Sequence, residues 1–196
     1  MSGNGLMPRR VANLQNDRPM IVVVMGVSGS GKSAVGRRLA ARLDWPFIEG
    51  DDLHPSANIE KMRTAVPLSD NDRAPWLQAV RERAVAQARR SGGVVVACSA
   101  LRRVYRDVLR ADPTAVWFAC LIAPEDVLRD RADDRRHAFM PASLLASQLA
   151  TFEPLDDDEA GETFQADQPL EAVVDEVEAV VRSLSGMTDG RNTPGG

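Results

Sequence analysis

Six apolar residues, MIVVVM (Met20–Met25), run straight into GVSGSGKS (Gly26–Ser33), and this junction constrains the fold more than any other stretch of the chain. A strand that is apolar at every position is buried on both faces, as in a parallel sheet covered by helices. The loop behind it satisfies G-x-x-x-x-G-K-[ST] at Gly26, Gly31, Lys32 and Ser33, in the strand–loop–helix setting that this pattern requires. Glycine lets the backbone curl closely around an anion and take up positive φ. Successive N–H groups then converge as a nest, and the following helix adds its positive end. Val27, Ser28, Gly29 and Ser30 complete the cradle for a nucleoside triphosphate. Lys32 reaches the β- and γ-phosphates, and the Ser33 hydroxyl takes one Mg²⁺ position.

The rest of the chain alternates in a way that suits such a loop. After Met20–Met25 the pattern predicts a helix at Lys32–Leu43, a short strand at Pro46–Glu49, and a short helix at Ser56–Arg63 with Ser56 as its N-cap. A longer helix follows at Pro75–Arg90, then strand Gly93–Ser99, helix Leu101–Arg110 and strand Ala115–Ile122. Helices at Pro124–Arg136 and Pro141–Thr151, a strand at Thr163–Ala166 and a helix at Pro169–Leu184 close the chain. Strands separated by helices give an α/β fold, a P-loop NTPase with helices on both faces of its sheet. The acidic run Asp156–Glu159 reads as a solvated loop. The 196 residues suit one domain with a sizeable core, spanning about 19–184. The head, residues 1–18, and the polar tail, residues 185–196, read as disordered.

Composition excludes several classes. A net charge of −4 gives no general attraction to nucleic acid or anionic membrane. No apolar run approaches the roughly 20 residues that span a bilayer, and the head lacks the apolar core of a secretory signal. Cys98 and Cys120 lie in apolar runs and read as inert thiols in a reducing compartment, so the cytoplasm is the expected location. Only Lys32 and Lys61 among the 24 basic residues are lysines, which marks them as places where a compact ammonium is wanted rather than a planar fork.

The phosphate loop does not name the acceptor. A guanine-reading Asn-Lys-x-Asp is absent, and the strand Gly93–Ser99 carries no terminal acid of the kind motor ATPases use. The acids follow the second strand instead, in Glu49-Gly50-Asp51-Asp52. There a carboxylate sits at the sheet's carboxyl edge and can take the proton of an attacking hydroxyl or help hold Mg²⁺; an ordinary turn with a helix cap is the plainer reading. The donor-rich stretch from His54 through Asn58, Lys61 and Asp70 to Arg73 suits a wall over a polar substrate, or else a solvated helix face. Ser99 ends a buried strand at the same edge. Arg102 and Arg106, four apart on one helix face, read as a clamp for a carboxylate, with surface pairing to Asp107 as the alternative. Arginines from Arg129 to Arg136, with His137, suggest a lid over the nucleotide.

GVSGSGKS, FIEGDDLHPSANIEKM, PLSDNDRAPWLQ, VVVACSALRRVYRD and DQPLEAVV together resemble the gluconate kinases of the thermoresistant type, over about residues 20–184. GDDLHP, DRxPWL and CSALxxxYRD carry more specificity than the loop alone. The resemblance implies a fold similar to shikimate and adenylate kinases: five parallel strands in the order 2-3-1-4-5 and a helical lid. It implies ATP and Mg²⁺, phosphorylation of D-gluconate at its 6-hydroxyl to 6-phosphogluconate, a cytoplasmic homodimer, and a place in gluconate catabolism feeding the pentose phosphate or Entner–Doudoroff route. Carried over by position, Asp51 orients and deprotonates the hydroxyl, Lys32 and Arg135 stabilise the phosphoryl group, and Arg131 covers the adenine. His54, Arg73, Ser99, Arg102 and Arg106 line the sugar-acid pocket, with Lys61 a weaker candidate. The family's lid reads Arg-x-Gly-His-Phe-Met; here Arg135-Arg136-His137-Ala138-Phe139-Met140 lacks the glycine and sets the histidine one place early, so His137 receives no role.

Overall fold

Successive side chains of β1, Met20–Met25, point to opposite faces of a sheet, and both faces find a helical layer. Met20, Val22 and Val24 join one core; Ile21, Val23 and Met25 join the other. The computed structural model describes residues 19–64, 66–112, 114–133 and 143–187. Within them the chain runs β1, α1 (Lys32–Leu43), β2 (Phe47–Glu49), a 3-10 turn (Gly50–Leu53), α2 (Ser56–Arg63), α3 (Asp70–Ser91), β3 (Gly93–Ala97) and α4 (Arg103–Leu109). It continues through β4 (Ala115–Ile122), α5 (Glu125–Asp133), α6 (Ser143–Thr151), β5 (Gly161–Gln165) and α7 (Leu170–Ser185).

The five strands are parallel and ordered β2-β3-β1-β4-β5, the order expected from the resemblance. Val22 stands beside Val95 of β3 and Trp117 of β4, so the central strands share register across the core. On one face, Val35 and Leu39 of α1 meet Val173, Val174, Val177 and Val181 of α7. On the other, Trp76, Leu77, Val80 and Ala84 of α3 meet Tyr105 and Leu109 of α4. Arg42 of α1 binds Glu171, Asp175 and Glu178 of α7, and Arg182 closes the set with 2.8 Å to Glu178 and 3.0 Å to the Arg42 carbonyl. No helix among the described residues is long and apolar enough to cross a membrane.

Several sequence expectations need correction, among them the bounds of α4, expected at Leu101–Arg110, and of β5, expected at Thr163–Ala166. The long helix begins at Asp70, not Pro75: Ser69 and Asp72 form a reciprocal capping box, and Pro75 sits inside the helix. The box outweighs the preference of proline for a first turn, at the expense of one backbone hydrogen bond. Ser56 is the first residue of α2 rather than its cap, since the flanking residue is Pro55 and no side chain caps that end. The strand of the GVVVACS run stops at Ala97, leaving Cys98 and Ser99 in the connection at the sheet edge. The acidic run is not all solvated, because Glu159 is buried with its side chain against Arg106. Cys98 and Cys120 are buried thiols; burial pushes Cys98 up to about 12 and Cys120 up to about 11.

Candidate active site

The carboxyl ends of β2, β3 and β1 lie side by side, and most of the acceptor-side candidates gather around them. Gly26 leaves β1 at φ 141°, and its N–H donates to the Ser99 carbonyl at 3.3 Å, tying the phosphate loop to the end of β3. Gly29, at φ 82°, lies so close to the Leu128 carbonyl of α5 that a Cβ would collide with it. Both positions therefore require glycine for conformation and for space. Lys32 Nζ donates to the Val27 carbonyl at 3.0 Å, which folds the ammonium back over the loop. Ser30 Oγ is buried and finds no hydrogen-bond partner among the described residues, an arrangement that suits a loop built to surround an anion. The N–H groups at the start of α1 have no intrahelical acceptor, which adds to the cradle.

The acids stand two strands away. With strands spaced about 4.8 Å apart, β2 lies roughly 10 Å from β1 along the sheet edge. That interval leaves room for a phosphoryl group and an acceptor hydroxyl over the end of β3. Asp51 stands in the 3-10 turn after β2, with an exposed carboxylate 3.9 Å from His54 Nε2. Glu49, at the end of β2, pairs with Arg37 at 3.0 Å and lies near the Ser33 hydroxyl, which favours its charged form. Burial, with Asp51 nearby, raises its pKa above the ordinary value against the pull of Ser33, Arg37 and Lys32. Among the described residues no three His, Cys, Asp or Glu side chains converge to hold a metal by themselves. The Ser33 hydroxyl, with Glu49 nearby, is the kind of donor that would hold a nucleotide-bound Mg²⁺, whose other ligands would come from phosphate and water.

The remaining wall comes from α2, α3 and the start of α4. His54 is buried, stacks on Trp76 at 4.0 Å between ring centroids, and has Nε2 3.9 Å from Asp51. Asn58 Nδ2 lies 3.4 Å from His54 Nδ1 and donates to the Asp72 carbonyl at 2.8 Å. Burial lowers the His54 pKa, Asp51 opposes the shift and Arg73 adds to it, so the imidazole is neutral near pH 7. Trp76 itself is fixed by a 2.7 Å bond from Nε1 to the Gly50 carbonyl. Arg73 and Arg102 flank the Tyr105 ring, each guanidinium carbon 5.5 Å from its centroid. Tyr105 donates to Asp70, and Arg102 reaches Asp70 at 2.7 Å and Glu153 at 3.2 Å.

His54, Arg73, Ser99, Arg102 and Asp51 are thus brought to one edge. Arg106 is not: its side chain is wholly buried, makes two bonds to Glu159 at 2.7 and 2.6 Å, and donates to the Glu153 and Pro154 carbonyls. It does not share an open face with Arg102, which stands before α4 as the helix cap. Lys61 gives its ammonium to Asp72 at 2.7 and 2.8 Å and fastens α2 to the start of α3. Arg131 donates to the Ala166 carbonyl at 2.6 Å, beside the end of β5. Arg135, Arg136 and His137 lie outside the described residues. Gln148 and Glu153 belong to the neighbourhood although nothing local in the sequence marks them, and Trp76, which lies in DRxPWL, received no role from the sequence.

Three comparisons agree on what this arrangement is similar to. An AAA domain family model matches residues 21–155. The gluconokinase of Gluconobacter oxydans (strain 621H) is 51% identical over 142 residues, covering 72% of this chain and 80% of that protein. The thermoresistant gluconokinase of Escherichia coli (strain K12) is 44% identical over 155 residues, covering 79% and 89%. Among solved structures, a gluconokinase from Sinorhizobium meliloti 1021 superposes with a TM-score of 0.76 at 47% identity, covering 86% of this chain and 94% of that one. A shikimate kinase from Acinetobacter baumannii, at 20% identity and TM-score 0.54, shares the fold alone.

Proposed function

Since the chain belongs to the gluconokinase family of P-loop kinases, we propose that it transfers the γ-phosphoryl group of ATP to the 6-hydroxyl of D-gluconate, giving 6-phospho-D-gluconate and ADP. The observation that carries this reading is the pairing of an anion-cradling loop at the end of β1 with an exposed carboxylate, Asp51, after β2. The gap between them suits phosphoryl transfer to an alcohol.

In this reading the loop amides not already given to Ser99, Gln148 and Val27, together with the Lys32 ammonium, bind the phosphates and stabilise the charge that gathers on the migrating group. The Ser33 hydroxyl would hold a Mg²⁺, which would supply further neutralisation of the phosphate charge. Asp51 accepts the hydroxyl proton and aims the oxygen. Neutral His54 holds an acceptor hydroxyl, and Arg73 and Arg102 meet the sugar-acid carboxylate with planar forks. Ser99 lines the floor between them. Arg131 covers the adenine, and Arg135 assists Lys32. The buried pair of Arg106 and Glu159 and the tie of Lys61 to Asp72 support these groups from behind. The same reading makes the protein a cytoplasmic homodimer that serves gluconate catabolism.

The test is a coupled ADP-release assay with ATP, Mg²⁺ and a panel of sugar acids, neutral sugars and shikimate. Turnover is expected with D-gluconate and not with shikimate, and the product should carry phosphate on C6 by phosphorus–proton NMR correlation. Turnover confined to a neutral sugar would remove the carboxylate role from Arg73 and Arg102 and overturn the assignment.

A further inference from the structure

The phosphate loop is held from outside its own sequence. The Ser28 N–H, in the middle of the loop, donates to Oε1 of Gln148 at 2.6 Å, across 120 residues of chain. Gln148 sits on α6, whose Leu145 is buried and whose Leu149 packs with it against Val27, Leu101 and Leu128. The α6 helix is therefore anchored on the loop by an apolar contact at Val27 and a polar one at Ser28. From the other side, Gly29 rests against the Leu128 carbonyl of α5. Inside the loop, the Ser30 N–H and the Lys32 ammonium both use the Val27 carbonyl, at 3.3 and 3.0 Å.

We propose that Gln148 is a positioning residue of the nucleotide site, fixing the Ser28 amide so that the loop is already in its anion-binding shape before nucleotide arrives. The chemistry explains the residue type. A glycine-rich loop has much conformational freedom to lose, and a bond that removes it beforehand raises affinity by preorganisation. The acceptor must also be neutral, because a carboxylate at this place would stand beside the incoming phosphates. An amide oxygen accepts the N–H without adding charge.

The inference rests on the kinase reading for its nucleotide only and involves no acceptor, so its test stands apart from the identity of the sugar acid. The full-length protein and its Gln148→Leu and Gln148→Glu variants are compared by hydrogen exchange without nucleotide. Peptides covering residues 26–31 report the loop, and peptides covering 93–97 serve as the internal reference. Affinity for a non-hydrolysable ATP analogue with Mg²⁺ is measured by titration calorimetry. Gln148→Leu is expected to exchange about tenfold faster in the loop and to bind the analogue about tenfold more weakly, with the β3 peptides unchanged. Gln148→Glu is expected to restore the loop's protection while still binding the analogue more weakly, because the acceptor is kept and a charge is added. Parental exchange and affinity in Gln148→Leu would overturn the proposal. So would an equal loss of protection in β3, which would leave Gln148 a structural role only.

Discussion

At Asp51 the proposed phosphoryl transfer turns on one proton. Its exposed carboxylate lies beside His54, on the turn after β2, two strands from the phosphate loop. Asp51→Asn keeps the shape and removes the basicity, so kcat is expected to fall by roughly 10²–10⁴ while affinity for the ATP analogue stays within about twofold. Steady-state kinetics and calorimetry on the same sample check both halves. His54 gives a pH signature. In the folded protein its pKa is lowered, first by burial and then by Arg73, against the pull of Asp51, whereas the unfolded chain protonates at about 6.5. The unfolded state therefore takes up the proton first, and His54 makes stability fall as pH drops below that value. Urea unfolding between about pH 7.5 and 5.5 should show this loss, with a slope of at most about 1.4 kcal/mol per pH unit, and His54→Gln should remove it. The setting of a residue was legible where it rests on a local pattern, as for Lys32 and Ser33 at the start of α1 behind β1. It was not where the partner is remote: Arg106 is claimed by Glu159, 53 positions away, and Gln148 answers to Ser28 across 120.

Between elements, the segment from Phe152 to Ala160 is held to α4 by charge. Arg106 and Glu159, both with fully buried side chains, fix its far end, and Glu153 binds Arg102 and the Arg103 N–H at its near end. Arg103 adds Asp156 and Asp158, whose carboxylate is pulled down to about 2 by that contact. Removing one member of a buried pair strands the other, at a cost of roughly 3–5 kcal/mol. Glu159→Gln should therefore lower the free energy of unfolding in urea by about that amount, yet leave the acceptor KM within about twofold. A large rise in KM at unchanged stability would return Arg106 to the pocket. Most helices and strands could be read from apolar spacing, and their bounds matched closely where burial alone decides them, as in β1, α1 and β4. The start of α3 was missed because Pro75 is a strong local signal, although Ser69-x-x-Asp72 announces the true start.

For the molecule as a whole, the first and last helices share one core. The α7 helix puts Val173, Val174, Val177 and Val181 against β1 and α1, and Arg42 bridges the two helices. Deletion from residue 170 onward opens that face of the sheet and is expected to abolish cooperative thermal unfolding by calorimetry, despite an intact phosphate-loop sequence. Uniformly apolar strands made a parallel sheet legible, but periodicity does not order strands; the order entered through the resemblance and the structure carries it. Of the three tryptophans, Trp45 and Trp117 belong to the core shared by α1 and α7, and Trp76 alone lies against His54. An imidazolium quenches indole emission where a neutral ring does so far less. Replacing Trp45 and Trp117 by phenylalanine would thus leave a single built-in fluorophore, whose brightness tracks the acceptor side of the cleft without any attached dye.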